Sequence, residues 1–332
     1  MRKAALTYGR LHALFILTGV LWLCNGLDAQ QTPLYSQYMF NKFIINPAVA
    51  GSEGYTAYNF TSREQWLGFK DAPITNSLSF QTRLLENRFT IRLTNKRLRY
   101  VAPEYGKVGL GIHIFDDRRG LLNNTGFQFT YAYHEKIGPK EQLSFGLTVS
   151  LSQFRVNYNK MILFQPDRYL NSEKLWVLIP DFNIGIYYIS QYGYLGVSSN
   201  QILQSALRFG PIGENEFRVQ RNYNVIGGYR FMVKQDFSME PSLQFRTTEQ
   251  FLYQFDLSLR FYYKKDLWGG LAYRTGNALI LSLGARYNNL YFGYAYDFTL
   301  NSLQTYSSGS HELMISLKLG GNVMKYDWIE RY

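Results

Sequence analysis

Cysteine is all but missing from this 332-residue chain, with Cys24 as its one example. No disulfide can form within it, so packing, a metal or backbone hydrogen bonding must hold the fold. Histidine is scarce as well: four in all, and none of His113, His134 and His311 has a second ligand at metal-like spacing. His311-Glu312 lacks the second histidine of a zinc helix. Ser310 beside His311 makes no triad, because neighbours on a strand point to opposite faces. Gly109-Leu110-Gly111 sits in a strand of small residues and is no phosphate loop. These absences argue against an enzyme, and no catalytic residue, cofactor or metal site is expected. Charged residues reach only 18%. Beyond Leu11–Leu23, no apolar run attains the ~18 residues that a transmembrane helix requires.

The amino terminus sets the compartment. Arg2, Lys3 and Arg10 precede the apolar run, and Leu27-Asp28-Ala29 puts a small residue where a signal peptidase cuts. Residues 1–29 therefore read as a cleaved signal peptide, whose removal takes Cys24 with it. A lipid anchor on Cys24 is the weaker alternative, since Leu21-Trp22-Leu23 has a bulky residue where a small one is needed. Losing Arg2, Lys3, Arg10 and Asp28 changes the formal net charge from +11 to +9. A basic exported chain meets anionic lipid, glycan or acidic protein surfaces rather than nucleic acid.

What the chain does have is aromatic side chains, 17% of the total, with 28 Tyr and 28 Gly. Its mean hydropathy of −0.23 looks soluble, but alternating strands average to such a value. Phe255, Leu257, Leu259, Phe261 and Tyr263 alternate with Asp256, Ser258, Arg260 and Tyr262. Leu143, Phe145, Leu147, Val149 and Leu151 alternate with Ser144, Gly146, Thr148 and Ser150. A period of two means half-buried strands. Fourteen are expected, beginning near Tyr55, Ile74, Val108, Thr125, Leu143, Asp181, Tyr194, Asn222, Phe237, Gln254, Trp268, Ala278, Leu290 and Ser310. Connections after even strands are mostly short, and several after odd strands are long. An even strand count with short turns at one end and long loops at the other is the outer-membrane arrangement. The expected fold is thus all-β: a transmembrane antiparallel β-barrel of about 14 strands over residues 55–319, with a tail at 320–332. A secreted β-sandwich or propeller would show the same alternation, with its apolar face turned inward.

The stretch "SQYMFNKFIINPAVAGS" in residues 30–54 is too broken for a span and too apolar for a linker. Tyr38, Met39, Phe40, Phe43, Ile44 and Ile45, closed by the turn signal Asn46-Pro47, are expected to plug or flank the periplasmic mouth. A docking peptide is the alternative. By parity, Arg230, Arg246, Arg260, Arg286 and Lys318 face the lumen with Glu240, Asp256, Asp297 and Glu312. Such charges either pair as a network stiffening the wall or line a selective pore. Arg88, Arg92, Lys96, Arg97 and Arg99 form a basic periplasmic surface, either simply solvated or a dock for an acidic partner. Asp116-Asp117-Arg118-Arg119 reads as a solvated outer turn. Trp66 and Phe69 are girdle residues, a folded-in cap or part of a partner surface.

"SQYMFNKFIINPAVAGS" (36–52), "REQWLGFKDAPIT" (63–75), "GLGIHIFDDRRG" (109–120) and "GSHELMISLKL" (309–319) together resemble the PorP/SprF family of outer-membrane proteins associated with type IX secretion and gliding motility. Its specific elements here include Arg63, Trp66, Gly68, Phe69, Pro73, His311 and Glu312. The resemblance implies a non-enzymatic, integral outer-membrane component. Its implied partners are type IX apparatus subunits and a large secreted surface protein or adhesin, in contact with outer-membrane lipid. The basic segment 84–107 and the tail depart from the family's usual form. The reading from a different class is a porin or a transporter of small solutes or hydrophobic compounds.

Overall fold

The computed structural model describes residues 35–86, 92–94, 97–99, 104–157, 176–207, 217–264, 266–276 and 278–320. The expected signal peptide, residues 30–34 and most of the tail fall outside that set.

Fourteen antiparallel strands make the wall: β1 (Thr56–Glu64), β2 (Ile74–Glu86), β3 (Glu104–Arg119), β4 (Leu122–Gly138), β5 (Glu141–Val156), β6 (Trp176–Ser190), β7 (Gly193–Asn200), β8 (Asn222–Tyr229), β9 (Phe237–Thr248), β10 (Tyr253–Tyr263), β11 (Leu267–Arg274), β12 (Ala278–Tyr287), β13 (Leu290–Thr299) and β14 (Ser310–Leu319). Each pairs with the next in sequence, and β1 pairs with β14 from Thr56↔Leu319 to Glu64↔His311, so the sheet closes on itself. Closure leaves no row of unpaired backbone groups, which hydrocarbon would not tolerate. After β8 the chain continues as Phe231–Lys234, which pairs beside the start of β9 with an irregular register. β2 and β3 stay paired out to Glu86↔Glu104, beyond the Ala57↔Gln81 pair where β1 joins β2. A separate ribbon pairs Arg92–Thr94 with Arg97–Arg99.

The burial pattern is the reverse of a water-soluble fold. On β10, Asp256, Ser258 and Arg260 are buried, whereas Leu257 between them is 46% exposed. On β5, Phe145, Leu147, Val149 and Leu151 are exposed while Ser144 and Thr148 are buried. A sandwich or propeller would turn those apolar faces inward. Here they form a continuous outer band studded with Tyr58, Tyr131, Tyr133, Tyr223, Tyr263 and Tyr294, as lipid contact requires. No helix among the described residues is long and apolar enough to cross a membrane; the strands do the crossing.

Sidedness follows from loop length. Turns after β4, β6, β10 and β12 are tight and share one end, hereafter the short-turn end. The opposite end carries the connections 65–73, 157–175, 201–221 and 300–309, and is the long-connection end.

The lipid face gives a depth-dependent prediction. Ile184→Arg, at mid-height on β6, should cost about 2–4 kcal/mol, and Ile137→Arg at a strand end about 0–1. Urea titration of the protein refolded into liposomes measures both; equal losses would contradict the assigned membrane band.

Candidate functional site

The lumen is occupied by the protein's own residues 35–55. Three single 3₁₀ turns, Tyr38–Phe40, Lys42–Ile44 and Pro47–Val49, compact this segment. Pro47 opens the third with its fixed φ, and the Asn46 side chain caps it by accepting from the Ala48 N–H at 3.0 Å. Consecutive residues Tyr38, Met39 and Phe40 are all buried, which an amphipathic helix could not achieve but a chain walled on every side can. The plug expected at one mouth is therefore a thread through the whole interior. Ser36 lies level with Arg63 at the long-connection end of β1, and Gly51 meets Arg83 and Thr82 near the short-turn end of β2. Two aromatic clusters fix its flanks. Phe43, Ile45 and Val49 pack with Tyr187, Tyr194 and Ile226. Met39 and Phe40 pack with Tyr262, Trp268, Tyr291 and Met314.

On one side the wall carries a groove of glycines. A Cβ on Gly146 would lie 2.2 Å from the Ala48 backbone nitrogen, and one on Gly185 2.0 Å from Asn46 Oδ1. A side chain at Gly146 would collide with the segment's backbone, and one at Gly185 with the Asn46 amide and the Pro47 ring. Through the gap, Asn46 Nδ2 donates to the carbonyls of Ile186 (2.9 Å) and Val197 (3.2 Å), bridging β6 and β7. Further along, His134 Nε2 donates to the Ala50 carbonyl at 2.9 Å, Ser198 Oγ to that of Ile45 at 2.8 Å, and Asn41 Nδ2 to Ser79 Oγ at 2.7 Å. A non-repetitive backbone buried in a lumen needs such donors and acceptors from the wall.

On the other side is a layer of charge. Arg63 Nη2 contacts Asp297 at 2.6 Å and Nη1 contacts Glu312 at 3.2 Å. Arg274 binds Asp256 at 2.8 Å and reaches Asp297 at 3.6 Å. Into this layer the segment inserts its backbone: the N–H groups of Ser36 and Gln37 donate to the two Glu312 oxygens at 2.7 and 2.8 Å. Ser36 Oγ donates to Asp297 at 2.8 Å. Arg63 and Glu312 are directly opposed across β1 and β14, so the cluster bridges the joint that closes the barrel. Nearer the short-turn end, Glu240 binds Arg230 at 3.0 Å and Arg260 at 2.9 Å.

Of the nine charges assigned to the lumen by parity, Glu240, Asp256, Arg260, Arg230, Asp297 and Glu312 join these two ion-paired clusters. Arg246 instead donates to Asn224 at 3.2 Å. Lys318 lies among the rings of Tyr291 (4.5 Å), Tyr55 (4.7 Å) and Phe40 (6.0 Å). Arg286, at the short-turn end of β12, lies over the buried Tyr291 ring at 5.8 Å and also faces the exposed Asp266 at 3.8 Å. Arg63 and Arg274 were absent from that set. Arg63 shares a face with Asn59 and Thr61, so its parity was readable. Gly269-Gly270 blurred the alternation leading to Arg274.

The remaining motif residues build the rim. Gln65 N–H donates to the Pro73 carbonyl at 2.8 Å, Trp66 adopts φ 56, and Gly68 adopts φ 107, where a side chain would strain the turn. Leu67 exchanges backbone bonds of 2.8 Å with Gly309 and Ser308, and Phe69 packs edge-on to Tyr306. His311 turns outward to the Tyr294 hydroxyl at 2.7 Å. Asp116-Asp117-Arg118-Arg119, expected as a solvated turn, is instead the end of β3: Asp117 is buried, accepts from Thr75 Oγ1 at 2.7 Å and pairs with Arg119 at 2.5 Å, and Asp116 pairs with Arg118 at 2.8 Å. Arg88 and Lys96 lie outside the described residues; Arg92, Arg97 and Arg99 fall on the small ribbon.

Above the segment, towards the long-connection end, lies a cavity of ≈ 410 Å³ floored by Tyr35, Tyr38, Ile44 and Ile45 and walled by His113, Asn124, Asn183, Asn222 and Arg246, among others. Below its floor the space between Met39, Phe40, Lys42 and Tyr55 shrinks to ≈ 10 Å³, room for about one water.

Two substitutions separate seating from closure. Gly146→Val should unseat the segment without removing the wall. Trypsin should then cut at Lys42, which is 2% exposed in the native protein, while heat-modifiable gel migration stays that of a folded barrel. Glu312→Gln should lower the urea midpoint, and with it the unfolding free energy by the roughly 3–5 kcal/mol typical of breaking a buried ion pair. An unchanged midpoint would remove the layer from the account of stability.

No curated protein matches the chain. Among solved structures, the toluene transporter TodX of Pseudomonas putida is 8% identical, with a TM-score of 0.44 over 86% of this chain and 93% of that one. A FadL homologue of Pseudomonas aeruginosa is 10% identical, with a TM-score of 0.40 over 80% and 88%. The KdgM porin is 8% identical, with a TM-score of 0.36 over 80% and 98%. Similarity this distant says nothing about ligand or role. The family comparison is of another order: residues 27–317 match the family described as type IX secretion system membrane protein PorP/SprF. That span takes in the lumenal segment, the rim motif and the closing strand together, and the protein belongs to the PorP/SprF family.

Proposed function

We propose that the chain is a non-enzymatic, integral outer-membrane component of the type IX secretion apparatus. In this reading it anchors or assists export of a large surface protein at its long-connection end. Its short-turn end, in the periplasm, contacts apparatus subunits. The observation that carries this reading is the filled lumen. A segment pinned at Glu312, at Asn46 and at His134 makes the barrel a stiff scaffold rather than an open path. The histidines serve the same end: His134 holds the Ala50 carbonyl, and His113 Nδ1 contacts Gln128 Oε1 at 3.2 Å.

The basic segment between β2 and β3 supplies a chemistry for the periplasmic contact. Arg88, Arg92, Lys96, Arg97 and Arg99 concentrate positive charge on one connection, suited to an acidic protein surface. Replacing Arg92, Arg97 and Arg99 by Glu should abolish copurification of periplasmic apparatus subunits while leaving the barrel assembled. Retention of those subunits would move the contact elsewhere.

A porin or solute transporter is the competing class, and electrical recording separates the two. The purified wild-type protein should give no stepwise conductance in planar bilayers, and a variant lacking residues 32–50 should conduct. Robust, selective flux through the wild-type barrel without a copurifying partner would overturn the scaffold reading.

A further inference from the structure

The course of the lumenal segment fixes a topology that the strand order alone does not. From Ser36 to Tyr55 the chain descends from the long-connection end to the short-turn end. Ser36 and Gln37 sit in the layer of Arg63, Asp297 and Glu312, which stands at the long-connection ends of β1, β13 and β14. Asn46 lies at mid-height against Gly185 and Gly196, and Gly51 reaches Arg83 low on β2. Only then does β1 begin, running back up the wall from Thr56.

We infer that the polypeptide enters the barrel through its long-connection end. The chain ahead of Tyr35 is therefore delivered to that face, opposite the end at which β1 starts. Two observations argue against a return path beside the segment. Tyr35 borders the ≈ 410 Å³ cavity, which opens between residues of the long-connection rim such as Arg119, Leu122 and Gln201. Beneath the charge layer, Met39 and Phe40 pack against Tyr262, Trp268, Tyr291 and Met314 on one flank, and Phe43, Ile45 and Val49 against Tyr187, Tyr194 and Ile226 on the other. Arg274 Nη2 also donates to the Tyr35 carbonyl at 3.4 Å, holding the point of entry in the same layer.

The consequence bears on the proposed role. The long-connection face then presents the amino-terminal end of the processed chain beside the rim built from 65–73 and 300–309. A partner at that face meets both, and pulling on the first would load the seam directly through Ser36 and Glu312.

The test places a protease-cleavable epitope on a flexible linker between Ala29 and Gln30 in the full-length protein. Matched control insertions go into the 300–309 connection and into the Gly138–Lys140 turn. Protease is added to intact cells and to permeabilised ones. Cleavage of the amino-terminal epitope in intact cells, to the same extent as the 300–309 control, is the expected result. Cleavage only after permeabilisation, as for the Gly138–Lys140 control, would overturn the inference, as would cleavage in neither state. The controls report sidedness independently, so an inverted barrel would reverse both of them and count against the proposed orientation instead. If the linker blocks assembly, Thr32→Cys with Cys24→Ser, probed with a long-armed impermeant maleimide against Thr305→Cys and Lys140→Cys, gives the same reading. Labelling should follow Thr305→Cys; labelling that follows Lys140→Cys, or none, would overturn the inference.

Discussion

Glu312 is the point on which the rest of the structure converges. It is fully buried, and a carboxylate there is tolerable only if its lone pairs and charge are met. One donor comes from the first strand, through Arg63, and two come from the backbone of Ser36 and Gln37. Asp256, Asp297 and Glu312 bring three carboxylates to this layer, met by the guanidinium groups of Arg63 and Arg274, with Arg246 acting on Asp256. The two backbone N–H groups donate to Glu312 and the Ser36 hydroxyl to Asp297. The lumenal segment is thus an electrostatic member of the wall, and removing it would leave buried acid under-compensated at the joint between β1 and β14.

The other side of the lumen works by shape. Glycine at 146 and 185 removes side chains from inward-facing positions; the Pro47-Ala48 backbone takes the first place, and the Asn46 and Pro47 side chains the second. There the Asn46 amide reaches carbonyls of two adjacent strands at once. Fourteen strands enclose more space than their own side chains fill. The protein closes that space by docking a backbone against glycines on one flank and binding it to acids on the other.

Much of this was legible in the sequence, and the gaps have physical reasons. All fourteen strands declared themselves, because a wall with lipid on one side and polar lumen on the other enforces a strict period of two. Phe255 to Tyr263 shows it without exception. The buried aromatic segment was also visible, through Tyr38 to Ile45 and the Asn46-Pro47 stop. Its path was not, since nothing local distinguishes a plug at the mouth from a thread through the centre; that depends on residues such as Gly185 and Glu312, far along the chain. Inward glycines are silent in an alternation count, so Gly146 counts there only as one more polar-face position between Ser144 and Thr148. Arg286 was placed by parity alone, which gives the face of a strand but not the height at which a side chain meets the rim.

The position of the segment also constrains how the barrel can close. Residues 36–55 precede β1 in the chain yet lie inside the finished wall, so the wall must be completed around them. Most of their glycine contacts lie on β3, β5, β6 and β7, within the run of consecutively paired strands β3 to β7 that needs no closure to exist, and one more, Gly293 against Gln37, lies on β13. Their contacts with Glu312 and Asp297 are on the last two strands, and the Arg63–Glu312 pair forms only when β1 meets β14. Docking on the glycine side is therefore compatible with an open sheet, whereas the complete acid layer requires a closed one. Because Glu312 binds the segment and the first strand together, a correctly seated thread and a correctly registered seam stabilise each other. A slip of one residue in the β1–β14 register would turn Arg63 towards lipid and leave Glu312 without its cation. The segment's grip on that carboxylate thus favours the one register in which the lumen is filled.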